Sequence, residues 1–154
     1  MSLSIFEYDK DNNQYLEISQ DGMQSRPIQT THNGTNGETV EKQLFLKNNN
    51  ADFYYTDIRL TPVPATKVRL GDVNYPEAYI GYKVIVKDAQ PSRSEWASTQ
   101  SGDVAIITNV GTTNLGDTSY KPLWIQVTIP PGARIGALRD VSIQLTAEEN
   151  PIGG

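Results

Sequence analysis

The chain has no cysteine. Disulfides and cysteine-ligated zinc are therefore excluded, and the absence fits a protein made and used in a reducing cytosol. Histidine is nearly absent as well: His32 stands alone, too few for a histidine-rich metal site. Serine nucleophiles usually need a base that a third group holds in place. His32 lies in a turn-forming stretch, so no catalytic role is expected of it. Long apolar runs are missing, and no stretch approaches the roughly 20 residues of a membrane-spanning helix. The first ten residues carry acids where a signal peptide needs an apolar run, so a soluble chain without a secretion tag is expected. No glycine loop of the phosphate-cradling or dinucleotide-binding type occurs. No enzyme activity and no cofactor are expected.

Helical periodicity is scarce too. No run of twelve residues carries a clear i, i+3, i+4, i+7 apolar stripe. Alternation takes its place. In Leu123-Trp124-Ile125-Gln126-Val127-Thr128-Ile129, Leu123, Ile125, Val127 and Ile129 share one face. Pro130-Pro131-Gly132 then stops the run. In Val141–Thr146, residues Val141, Ile143 and Leu145 face inward between polar neighbours, as a sheet with one wet face requires. Val40–Lys47 reads as a strand, Asn48-Asn49-Asn50 as a turn and Phe53–Leu60 as the hairpin partner. Tyr79–Val86 is a further strand, with Tyr82, Val84 and Val86 on one face. Shorter candidates are Leu3–Tyr8, Tyr15–Ile18, Lys67–Leu70 and Val104–Thr108. Residues 31–37, with two Asn-Gly pairs, give the strongest turn signal. Segments 88–103 and 109–121 are long and polar and read as surface loops. The fold expected is all-β: an immunoglobulin-like or jelly-roll β-sandwich with an N-terminal arm.

A basic surplus is also lacking, which argues against nucleic acid as a partner. The net charge is −5, and it is unevenly spread. Residues 1–41 hold seven acids against Lys10 and Arg26. Residues 42–154 carry eleven of each sign and sum to zero. The division expected is an acidic N-terminal arm or extra strands over 1–41, suited to a basic partner, and a sandwich domain over 42–154.

Several constellations suggest chemistry and fall short of it. Asp9-Lys10-Asp11-Asn12-Asn13 begins like a calcium loop, but Gln14 stands where glycine is needed and Gln20 where a bidentate glutamate is needed. A polar turn is the reading preferred. Glu148-Glu149 lie near the terminus, where chain ends are usually mobile. The final Gly-Gly matches sulfur-carrier and ubiquitin-like proteins, which are about half as long and contain a helix. Asn33-Gly34-Thr35 meets the glycosylation pattern incidentally. Aromatic residues suit protein interfaces. The interface candidates are Phe6, Tyr8, Tyr15, Arg93, Trp96 and Tyr120. Trp96 sits among polar residues and reads as exposed. A flat, solvent-facing ring there would favour the alternative function, a carbohydrate-binding or adhesion module.

The segments Glu41–Asn48 and Tyr55–Leu60 look like paired strands of an immunoglobulin-like sandwich. Leu123–Gly132 followed by Gly136–Leu145 is similar to the last two strands of such domains. With Pro27–Gly34, the arrangement resembles small structural proteins of tailed bacteriophages. That resemblance implies a non-enzymatic virion component, made in the host cytoplasm: a head decoration, tail, baseplate or neck protein. It implies capsid or tail subunits as partners and a homo-oligomer as the assembled form; the charge balance and the lack of apolar runs make neither nucleic acid nor membrane an expected partner.

Overall fold

A computed structural model describes residues 3–20, 23–24, 28, 30–32, 36–50, 52–63, 81–101, 103–110, 120–131 and 142–151. Its strands are β1 (Leu3–Asp9), β2 (Gln14–Gln20), β3 (Met23–Gln24), β4 (Glu38–Asn48) and β5 (Phe53–Val63). After these come β6 (Gly81–Ile85), the helix α1 (Arg93–Ser98), β7 (Ala105–Val110), β8 (Lys121–Ile129) and β9 (Ser142–Pro151). All pairings among the described residues are antiparallel. The larger sheet runs β3-β2-β1-β4-β8-β6 and the smaller β7-β5-β9. The protein is an all-β sandwich. The expected strand at Lys67–Leu70 lies outside the described residues.

Period-two alternation builds the core between the sheets. Leu44 and Leu46 of β4 and Leu123, Ile125 and Val127 of β8 are buried, as are Tyr82 and Val84 of β6. Tyr55, Ile58 and Leu60 meet them from β5. Tyr55 and Ile58 would fall on opposite faces of a regular strand. A register shift between Thr56 and Arg59, with Asp57 at φ 48°, rephases β5 so that both point inward. Burial pushes the Tyr82 hydroxyl far above its ordinary range.

The N-terminal segment takes the form of extra strands. β1 lies between β2 and β4, and Leu3, Ile5 and Ile18 enter the same core. A division after residue 41 would cut through β4. The β1–β2 turn is held by Asp9, whose Oδ1 accepts from the Asp11 and Asn12 amides at 3.0 and 3.3 Å. Its Oδ2 accepts from Asn12 Nδ2 at 2.7 Å. Both oxygens of the calcium-like motif's first residue are thus turned to local backbone and side-chain donors. Glu7 and Lys42 occupy inward-facing register positions at one end of the core and form an ion pair at 2.6 Å.

The Asn48-Asn49-Asn50 turn does not make the expected hairpin. β4 already has β1 on one edge and β8 on the other, so β5 cannot pair with it. The chain instead arches from one sheet to the other. Asn48 Oδ1 accepts from the Asn50 amide and Asn50 Oδ1 from the Asp52 amide, each at 2.8 Å. Asn48 Nδ2 donates to the Phe53 carbonyl at 2.8 Å, and Asn49 donates to Ser4 Oγ. Glu148 and Glu149 likewise belong to the ladder of β9 with β5, where Glu149 Oε2 accepts from the Tyr55 hydroxyl at 2.8 Å.

Candidate functional site

The residues that alternate with the core positions of the larger sheet make its outer face. On β4 these are Thr39, Glu41, Gln43, Phe45 and Lys47; their register partners on β8 include Thr128, Gln126, Trp124 and Pro122. Across β1 and β2 the face continues through Phe6, opposite Phe45, and Tyr8, opposite Tyr15. This face divides into a covered half and an open half.

The cover is residues 88–101, within the segment 88–103 expected to be a loop. Within them α1 is built by a capping box: Ser92 Oγ accepts from the Glu95 amide at 3.2 Å, and Glu95 Oε1 accepts from the Ser92 amide at 3.1 Å. The strap crosses the sheet and is fastened to outward-facing side chains. Trp96 is not exposed, as its polar neighbours suggested; it is 3% accessible. Its indole N–H donates to Glu41 Oε1 at 2.6 Å, and Lys83 Nζ donates to its carbonyl at 2.9 Å. Gln43 Nε2 and Trp124 Nε1 both donate to the Asp88 carbonyl, at 2.8 and 3.1 Å. Lys87 closes on Glu95 at 2.6 Å. That contact, with the Ser92 amide, holds the Glu95 carboxyl below its ordinary value. Arg93 is exposed on α1. It lines an open depression of about 480 Å³ together with Glu41, Lys83, Trp96 and Gln126. The polar groups of this half are largely engaged in holding the strap.

The open half is aromatic. Tyr15 and Tyr120 stack at 3.8 Å with planes 4° apart. Phe6 meets Tyr120 edge-on at 5.4 Å, and Phe45 meets Tyr15 edge-on at 5.2 Å. Tyr8 leans on Tyr15 at 5.1 Å, and its hydroxyl donates to Asn13. Lys47 Nζ lies 5.1 Å from the centre of the Tyr120 ring. Tyr8 and Tyr15 remain 38% and 39% accessible.

Of the six interface candidates, Phe6, Tyr8, Tyr15 and Tyr120 meet in this one cluster. Arg93 lies apart on the strap, and Trp96 serves the protein's own packing. Phe45 and Lys47 were missed. The signal for Phe45 was available: it alternates with Leu44 and Leu46, so it had to face away from the core. His32 is bound at both ring nitrogens, to the Glu38 carbonyl at 3.1 Å and to Thr30 Oγ1 at 2.8 Å. Among the described residues, no three histidine, cysteine, aspartate or glutamate side chains group as a metal site, and no helix is long and apolar enough to cross a membrane. The cluster offers stacking surfaces, tyrosine hydroxyls and one cation, which equip it for binding. Comparison with protein-family models, curated proteins and solved structures finds no match for the chain.

Proposed function

We propose that this chain is a non-enzymatic building block that works through protein–protein contact at the open half of its larger sheet. The single observation that carries the reading is the ring cluster of Phe6, Tyr8, Tyr15, Phe45 and Tyr120 on the outside of the sandwich. Aromatic side chains dominate binding energy where they become desolvated at the centre of an interface. A contiguous exposed apolar patch marks an interaction site. The chain covers the other half of the same face with its own strap, which leaves this half as the available contact surface.

The assembly in which we place it is a tailed-phage virion, as a head decoration, tail, baseplate or neck protein bound to capsid or tail subunits. Support for that assignment is the sequence resemblance together with the sandwich architecture. The carbohydrate alternative leaned on an exposed Trp96 and loses that footing with the ring buried.

The test is solution mass, measured on the purified protein alone and after mixing with the candidate assembly's other proteins. Wild type should form a defined complex, and the Tyr8→Ala/Tyr15→Ala double variant should not, while retaining its circular dichroism spectrum. A double variant that assembles like wild type would move the contact away from this face.

A further inference from the structure

We infer that the open aromatic half receives a basic protein surface whose arginine side chains stack on its tyrosines. This deepens the contact reading above and rests on it. The charge around the rings favours that occupant. β1, β2 and their turn carry Glu7, Asp9, Asp11 and Glu17 against Lys10. Glu7 points into the sandwich, where Lys42 meets it. Of the others, Glu17 stands opposite Phe6 in register beside the rings, Asp11 is exposed in the turn after Tyr8, and Asp9 is engaged in holding that turn.

A second copy of the chain fits this border poorly. Two-fold pairing apposes the same patch on both subunits, so the acidic hairpins would face one another. Like charges so placed disfavour association. A basic partner turns the same border into attraction.

The rings themselves already accept a cation. Lys47 Nζ sits over Tyr120 at 5.1 Å, within the range in which a ring face attracts positive charge. The Tyr15–Tyr120 stack and the tilted Tyr8 ring extend this electron-rich surface toward Glu17 and the turn. Guanidinium suits such a surface better than ammonium. It is planar, stacks on aromatic faces, and can fork onto a neighbouring carboxylate in the same pose.

The test titrates synthetic peptides into the full-length protein and follows its amide and tyrosine ring resonances. The probes are Gly-Arg, Gly-Lys, Gly-citrulline and Gly-Glu repeats of equal length. The Gly-Arg peptide should shift the Tyr8 and Tyr15 resonances, with affinity falling as salt rises. The Gly-Lys peptide should bind about three- to tenfold more weakly. The citrulline and glutamate peptides should leave these resonances unmoved. Tyr15→Ala should lower Gly-Arg affinity about tenfold. Asp11→Asn/Glu17→Gln, which leaves every ring in place, should weaken it and flatten its salt dependence.

Equal binding of the citrulline peptide, binding of the glutamate peptide, or silence toward Gly-Arg would overturn the inference. Self-association that is lost in Tyr15→Ala, combined with silence toward Gly-Arg, would overturn the basic partner and leave the contact reading standing. Assembly unaffected by Tyr8→Ala/Tyr15→Ala would overturn the contact reading itself.

Discussion

Replacing Ile5 by alanine tests whether the N-terminal strands belong to the body of the protein. Ile5 is 6% accessible and lies in β1 directly opposite Leu46 of β4, which is fully buried. Ile18 joins the same core from β2. The substitution removes buried aliphatic volume while β1 remains paired on both sides, so the cavity cannot close easily. A cost of about 2–4 kcal/mol follows, within the range for large-to-small core changes. For a chain of this size that should lower Tm by about 5–15 °C. The assay is urea unfolding followed by circular dichroism, with an unchanged m-value expected. Tyr8→Ala on the same strand is the control, since its ring is 38% accessible; its cost should stay near about 1 kcal/mol or less. An Ile5→Ala variant within about 0.5 kcal/mol of wild type would refute the reasoning. Residues 3–20 would then behave as an appended arm, and their removal would leave a folded domain.

Ile125→Ala should cost about 2–4 kcal/mol in the same assay, because its side chain is 1% accessible between the sheets; Gln126→Ala, on the opposite face, should cost far less. Trp96→Phe keeps most of the ring but deletes the indole donor to Glu41, and should cost about 1–3 kcal/mol by leaving a half-buried carboxylate short of a partner. The strap should also loosen in acid. The Glu95 carboxyl is held below its ordinary 4.5, so its contribution is complete above that pH and is lost as pH falls through the lower folded-state value. Hydrogen exchange of the α1 amides should accelerate across that interval, and Glu95→Gln should remove the pH dependence.

The strands were readable wherever one face is buried and the other wet. β8 is the clearest case: Leu123, Ile125 and Val127 alternate with polar or partly accessible residues, and all three line the core. What local pattern did not carry was which strands neighbour each other. The three asparagines after β4 announce a change of direction, but whether the chain returns to the same sheet depends on β1 and β8 occupying both edges of β4. Trp96 departs from the exposed position its neighbours suggest for a related reason. Its immediate neighbours are polar, whereas the groups that bury it come from Glu41, 55 residues away, and from Lys83. The segment carrying it reads as a loop, although Ser92 and Glu95 have the spacing of the capping box that starts α1. Four members of the aromatic cluster are among the interface candidates, yet their convergence requires the β1–β2 hairpin to lie beside β4, with Tyr120 immediately before β8.

The central claim, that the open aromatic half is the contact surface, is tested most directly by oxidative footprinting of tyrosine in the free protein and in its assembled form. Tyr8 and Tyr15 should become protected on assembly, while the exposed Ile106 on β7 of the opposite sheet stays as reactive as before. Unchanged reactivity at Tyr8 and Tyr15, with protection appearing on β7 or β9, would contradict the account.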